Sequence, residues 1–277
     1  MKTDFHTHGK LAKYLPFSAE YTQWLFAEAK ASGLDAICLT EHFNTQGFDE
    51  VYAYVEAAGD REGDAFVFNG LKVFPGMETD IREGGHILSI GPMDAIRELN
   101  RRLEGHKDKE RFLPFDELME LFGQYPMLVG AGHPFREGGH IPELPASSLS
   151  HFDFLDLNGK DIAEDRERTE RLTGALARRI GKPVLAGSDT HQAVQYGTIA
   201  TDFENGFSSF ERMRQEIREG AYSISVHPEA GFKVRTANLL KRSLKEIDAL
   251  GGDYISVLLG KWKGESPAVL AAKARIA

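Results

Sequence analysis

Six histidines stand at the ends of predicted strands, where their side chains could meet at one edge of a sheet. Five follow the apolar run of a strand and one opens a strand: His6, His8, His42, His86, His133 and His191. Because residues i and i+2 of a strand point to the same side, His6 and His8 can present two imidazoles to one cation. Imidazole is the commonest side-chain ligand of zinc, manganese and iron. The pattern therefore predicts metal binding.

Two carboxylates occupy equivalent strand ends. Glu78 ends the predicted strand 72–78, and Asp189 follows the strand 183–187. Each carboxylate has two oxygens and could bridge two ions. Together with the six histidines, these residues are more than one catalytic zinc with an open position requires. The sequence thus predicts two or three divalent transition metals, and its mixed nitrogen and oxygen ligands do not choose among zinc, manganese and iron.

The elements that must position these residues alternate along the chain. Apolar runs predict strands at 2–6, 35–40, 72–78, 86–90, 127–130, 152–157, 183–187, 198–201 and 222–226. Helical periodicity predicts helices at 18–33, 48–58, 93–103, 114–124, 165–180, 209–219 and 237–250. Strands separated by helices are typical of βα units in a largely parallel sheet, and about seven units favour closure into a barrel. The carboxyl ends of its strands would then form one face.

The composition excludes several classes of protein. The 277 residues carry a net charge of −9, with 42% hydrophobic and 27% charged residues, as in ordinary globular proteins. No apolar run is long enough to span a bilayer, the first residues show no signal peptide, and the single Cys38 excludes an internal disulfide and is expected in the core. We expect a cytoplasmic protein, monomeric or a small homo-oligomer, without a nucleic-acid or membrane partner.

The charge also divides the chain. Residues 233–277 hold nine Lys or Arg against four acids, a net +5, which leaves −14 for residues 1–232 out of the total of −9. We expect a barrel domain over 1–232 and a basic helical extension over 233–277. The extension could be solvated, or it could dock on an acidic surface of this chain or of a partner subunit.

The ordered motifs resemble those of the PHP (polymerase and histidinol phosphatase) family of metal-dependent phosphoesterases. They cover about residues 1–226 and read Asp4-Phe5-His6-Thr7-His8, Thr40-Glu41-His42, Gly76-Met77-Glu78, Gly85-His86, Gly132-His133-Pro134 and Gly187-Ser188-Asp189-Thr190-His191. The Gly-x-His-Pro-Phe-Arg form resembles the histidinol-phosphatase-like branch. The resemblance implies an α/β fold, a distorted TIM-like barrel of seven βα units with metals at the C-terminal ends of its strands.

The resemblance also implies how the ligands are shared. The first metal would be held by His6, His8, Glu78 and Asp189, the second by Glu78, His86 and His133, and a third partly by His42 and His191. Two positions depart from the family pattern. Segment 9–14 lacks the histidine that serves the third metal in many members, and Glu41 stands where many members have Asp. We expect Glu41 to support a neighbouring ligand.

The implied chemistry is hydrolysis of a phosphoester by a hydroxide that the metals activate. Arg136 is the best candidate to bind phosphate, because its planar guanidinium pairs with two oxygens. Lys10, Lys13 and Lys160 come next, with a solvated surface charge as the alternative for each. The expected catalytic residues are Asp189 in the metal cluster and His191 or His42 as proton donor to the leaving group.

A small phosphomonoester is the favoured substrate, and histidinol phosphate enters only through the resemblance. Three alternatives stay open. The chain could be a phosphodiesterase or nucleotidase of the same family, an amidohydrolase-type enzyme that cleaves C–N or C–O bonds, or a metal-binding module without activity.

Overall fold

Eleven strands and ten α-helices make up residues 1–261, the part of the chain that the computed structural model describes. The strands are β1 (Lys2–Thr7), β2 (Ala36–Leu39), β3 (Asp60–Glu62), β4 (Ala65–Phe68), β5 (Leu71–Asp80), β6 (His86–Ile90), β7 (Leu128–Gly132), β8 (Phe154–Asn158), β9 (Val184–Gly187), β10 (Ile199–Phe203) and β11 (Tyr222–Val226). The helices are α1 (Ala19–Ala31), α2 (Phe48–Ala58), α3 (Met93–Arg102), α4 (Phe115–Phe122), α5 (Ala146–Leu149), α6 (Gly159–Glu164), α7 (Arg166–Ile180), α8 (Phe210–Glu219), α9 (Ala230–Ala249) and α10 (Tyr254–Leu258). Residues 262–277 of the predicted extension lie outside the described residues.

Seven strands form a nearly closed barrel in the order β1-β2-β5-β6-β7-β8-β9. The last strand returns to the first, because the Asp189 amide donates to the His6 carbonyl at 2.7 Å and the His8 amide donates to the Thr190 carbonyl at 3.0 Å. Antiparallel β10 and β11 continue the sheet beyond β1. The predicted distorted barrel is confirmed.

The only antiparallel pairings inside the barrel order involve β6, which forms a hairpin with β5 and also pairs with β7. Gly84 (φ +89°) and Gly85 (φ +129°) take the left-handed conformations that this turn needs. Asp80 lies opposite His86 in the register. The hairpin explains why His86 opens a strand while the other histidines follow one, since the start of β6 lies at the same edge as the end of β5.

An apolar layer supports the strands that carry the site. It includes Phe5, Cys38, Phe74 and Phe154, all fully buried, and helix α8 packs against it. Cys38 therefore lies in the core, as expected. Such close-packed cores are rigid and hold strand ends at fixed separations.

Helix α9 begins at Ala230, earlier than the predicted start at 237, because Val234 is buried and extends its apolar face toward the N-terminus. The predicted domain boundary at 232/233 falls within this helix, and the division into barrel and extension stays a prediction. Helix α9 packs on α6 and on the turn at Ala193–Gln195. No helix within residues 1–261 is long and apolar enough to cross a membrane.

Candidate metal centre

The eight predicted ligands converge at one end of the barrel. Their nitrogen and oxygen atoms form three groups, and within each group the atoms lie no more than 4.8 Å apart. The groups are His6, His8 and Asp189; Glu78, His86 and His133; and His8, His42 and His191. Seven of the eight residues are buried, and His86, with 26% of its side chain exposed, opens the cluster to solvent.

Glu78 lies between the groups. Its Oε1 is 2.5 Å from His86 Nδ1 and 3.2 Å from His133 Nε2. Its Oε2 is 2.6 Å from His42 Nδ1 and 3.5 Å from His8 Nε2. The two oxygens of one carboxylate therefore face different groups, which is the placement that a bridging ligand requires.

Hydrogen bonds fix the orientation of two buried imidazoles. His6 Nδ1 lies 2.9 Å from Asp156 Oδ2, and His191 Nδ1 lies 2.9 Å from the Lys10 carbonyl oxygen. Because both acceptors bond to Nδ1, the Nε2 lone pair of each ring is free to face the cluster.

Two carboxylates that contact predicted ligands were not predicted from the sequence. Asp156 holds His6 and also accepts the His133 amide at 3.2 Å, and Asp80 Oδ1 is 3.0 Å from His86 Nε2. One signal was available for Asp156, an acid between two leucines inside an apolar strand. For Asp80 the signal was its i+2 spacing from Glu78, which places both on one side of β5.

Glu41 lies beside the third group. Its Oε2 accepts the Gly9 amide at 3.0 Å, and its Oε1 is 3.5 Å from His8 Nδ1. Burial raises its pKa, but His8 and His42 outweigh burial, and the pKa lies below its usual value. Glu41 thus stays ionised next to a predicted ligand.

The donor atoms fit metal ions. Among the predicted ligands, five buried atoms make no well-aligned hydrogen bond within residues 1–261: His6 Nε2, both ring nitrogens of His8, His42 Nδ1 and Glu78 Oε2. An unpartnered buried polar atom costs about 1–3 kcal/mol. Nitrogen and oxygen atoms in such a cluster are the ligands that zinc, manganese and iron accept, and coordination would satisfy them.

Most of these groups hold the protonation state that a ligand needs. Burial lowers the pKa of His42 to about 4 and that of His133 to about 3, so both rings are neutral. Although burial opposes ionisation, the neighbouring histidines hold the pKa of Glu78 well below its usual value. His6 and His86 are the exceptions. Burial lowers both pKa values, but Glu78 and Asp156 outweigh burial and raise the pKa of His6 well above its usual value. Glu78 and Asp80 likewise raise the pKa of His86 to about 9.

His191 also has a pKa well below its usual value, because of burial and the charge of His8. Neutral rings with one nitrogen facing the cluster suit ligands. The roles of His191 and His42 as proton donors stay predictions.

Two of the predicted ligands have left-handed backbones. His133 has φ +29° and Asp189 has φ +57°, and only one other non-glycine residue among 1–261, Asn69, has a positive φ. Such conformations cost of the order of 1–3 kcal/mol and cluster at functional sites.

Two of the predicted substrate cations meet at Asp189. Arg136 Nη1 lies 2.8 Å from Asp189 Oδ2, and Lys160 Nζ lies 2.8 Å from Asp189 Oδ1. Asp161 and Asn158 hold the other guanidinium nitrogens of Arg136. Arg136 and Lys160 line a cavity of about 660 Å³ beside the cluster.

The other two predicted cations lie elsewhere. Lys13 Nζ is 3.4 Å from Asp80 and is partly exposed at the rim. Lys10 Nζ donates to Thr45 Oγ1 at 3.0 Å and to the Gln46 carbonyl. The ammonium of Lys10 therefore holds a loop, whereas its main-chain carbonyl orients His191.

Comparisons with known proteins were made against families, curated proteins and solved structures. The PHP domain model matches residues 4–196, more than two thirds of the chain. The structure of PsfC from Pseudomonas syringae PB-5123 is similar with a TM-score of 0.68 at 22% identity, covering 88% of this chain and 98% of that one. The lesion-specific endonuclease PfuEndoQ from Pyrococcus furiosus gives 0.58 at 18% identity, covering 80% and 57%. No curated protein matches.

The two structural likenesses concern the barrel fold. The domain match spans every predicted ligand, from His6 to His191. The fold brings these residues together at one end of the barrel. The chain belongs to the PHP family of metal-dependent phosphoesterases.

Proposed function

We propose that the protein hydrolyses a small phosphomonoester with two or three divalent metals, zinc, manganese or iron, held by the eight converging residues. The observation that carries this proposal is the pairing of Arg136 and Lys160 with Asp189 beside the cluster. Their cavity of about 660 Å³ has room for a small organic group.

Bound metals would supply an activated water and Lewis acids for the phosphate oxygens. The residues of the chain do the rest. Glu78 would bridge the groups of metal ligands. Asp156 orients the imidazole of His6, and the Lys10 carbonyl orients that of His191. Arg136 and Lys160 place positive charge where negative charge grows on the phosphate in the transition state.

The charge favours a monoester over a diester. A monoester dianion needs more neutralisation than a diester monoanion, and the two cations at Asp189 provide it beyond the metals. Four acids also line the cavity: Glu137, Asp161, Glu164 and Asp165. A polymeric diester would carry its backbone charges past these acids, whereas a small dianion need contact only Arg136 and Lys160.

The proposal is tested with p-nitrophenyl phosphate and bis-p-nitrophenyl phosphate. We expect the monoester to turn over faster. Arg136→Ala should lower kcat/KM for the monoester about ten- to a hundredfold, since a charge-assisted contact contributes about 1.5–3 kcal/mol, and it should affect the diester less.

Arg166→Ala is the matched control, because Arg166 is an exposed arginine paired with Glu170 outside the cavity. The metal content of each variant is measured alongside, since Arg136 also touches Asp189. Faster turnover of the diester, with an equal effect of Arg136→Ala on both compounds, would show that the enzyme is a phosphodiesterase.

A further inference from the structure

Helix α9 lies beyond the residues that the family model matches and carries four cations on one side. Arg235, Lys241, Arg242 and Lys245, here called the basic cluster, line a cavity of about 640 Å³ with Asn238. Asn238 also lines the cavity that contains Arg136 and Lys160. The two cavities therefore adjoin, and the basic cluster lies next to the proposed phosphate site.

Lys241 is the cation of the cluster whose charge acts on a predicted metal ligand. After burial, the charge of Lys160 is the main reason that the pKa of Lys241 falls to about 8, and Asp189 and Glu41 act against this fall. The charge of Lys241 in turn lowers the pKa of His191, after burial and His8. These mutual effects place Lys241 within electrostatic reach of both Lys160 and the ligand histidines.

The four cations have no partner of opposite charge. Within residues 1–261, none of them lies within 4.0 Å of a carboxylate oxygen, although most buried or half-buried cations of this chain do. Lys245 instead has its Nζ 5.2 Å from the centre of the Tyr14 ring. A group of neighbouring like charges without counter-charges raises the local concentration of anions.

The position of the cluster relative to the site is fixed by packing. Helix α9 contacts α6, which begins directly after β8. It also contacts the turn at Ala193–Gln195, which begins two residues after His191. The buried residues of the helix include Val234, Ala237 and Leu244. The helix therefore packs on two segments that follow strands β8 and β9, whose ends carry residues of the metal centre.

We infer that the basic cluster binds a second anionic group of the substrate, so that the substrate carries a phosphomonoester at one end and a phosphate or carboxylate at the other. This inference rests on the proposed function and narrows its substrate class. The acids that line the neighbouring cavity disfavour a nucleic-acid strand as the second anion.

The test is calorimetric binding to the metal-loaded full chain, and it needs no turnover. The probes are alkane-α,ω-bisphosphonates of increasing length, the ω-carboxyalkylphosphonates of the same lengths and the matching alkylphosphonates. We expect one length of a two-anion probe to bind at least about tenfold more tightly than its alkylphosphonate, and the better of the two series identifies the second group as phosphate-like or carboxylate.

Variants assign the preference to the cluster. Lys241→Gln and Arg242→Gln should each reduce the two-anion preference severalfold, whereas Lys233→Gln should keep it, because Lys233 lies on the same helix outside this cavity. Equal binding of one-anion and two-anion probes at every length would overturn the inference, as would a preference that both cluster variants retain.

A single-stranded DNA oligonucleotide is tested at 0.15 M salt, where the Debye length is about 8 Å and distant charges are screened. If it binds more tightly than any bisphosphonate, the basic cluster is a nucleic-acid site and the inference is wrong. Failure of the proposed function is seen separately, as absent turnover of p-nitrophenyl phosphate. The binding result stands in either case.

Discussion

Glu78 lies between the groups of predicted ligands, since its two oxygens face different histidines. Glu78→Gln keeps the size of the side chain and removes the charge that two cations share. We expect the loss of at least one metal per chain by elemental analysis, and a rate on p-nitrophenyl phosphate reduced at least about 100-fold. Glu143→Gln, at an exposed site next to His140, is the control. Near-normal activity with full metal content would show that Glu78 is not a bridge.

His86 predicts how metal binding responds to pH. Its pKa of about 9 in the metal-free protein means that the ring is protonated at pH 7.5, and a ligand histidine must be neutral. Metal binding should therefore release protons, and the affinity should rise with pH until about pH 9. Calorimetry in buffers of different ionisation enthalpy measures this release. No proton release at pH 7.5 would contradict the assignment of His86 as a ligand.

The convergence of the eight proposed ligands was predictable from the sequence, but the residues that support them were only partly so. A histidine or acid directly after an apolar run can be recognised in the sequence. Because strand ends converge in this class of fold, such residues are expected to meet. Asp156 contacts His6 because the barrel closes where β9 returns to β1. The two residues are 150 positions apart, so no local sequence pattern predicts this contact. Lys10 was misleading for the same reason, since its ammonium turns toward Thr45 instead of the cluster.

At the scale of elements, the end of β9 lies so close to β1 and β8 that position 187 has no room for a side chain. A Cβ on Gly187 would lie 2.4 Å from His6 Cβ and 2.5 Å from Asp156 Oδ1. Gly187→Ala should displace His6, weaken metal binding about ten- to a hundredfold and cost about 1–3 kcal/mol in the free energy of unfolding.

Metal titration and thermal unfolding measure these effects of Gly187→Ala. Gly105→Ala is the matched control, because nothing lies within 4 Å of its added methyl group. Equal metal affinity in the two variants would mean that the strand end tolerates the displacement.

Nine of the eleven strands and most helices within residues 1–261 were predicted because their apolar periodicity is strong, as in the confirmed β6 and α2. The hairpin of β3 and β4 was missed, since β3 has three exposed polar residues and no apolar pattern. The start of α9 was also misplaced. Its N-terminal turns are anchored by Val234 but expose Phe232 and Arg235, which weakens the periodicity on which the prediction depends.

At the scale of the whole molecule, a barrel of the PHP family brings eight potential ligands together. We propose that they hold at least two metals and that hydrolysis of phosphomonoesters depends on these metals. The most direct test is to remove the metals by chelation, return manganese or zinc in measured equivalents, and follow bound metal and turnover of p-nitrophenyl phosphate together. We expect no turnover without metal and a rate that rises steeply only as the second equivalent binds. Full turnover with one metal per chain, or with none, would contradict the account.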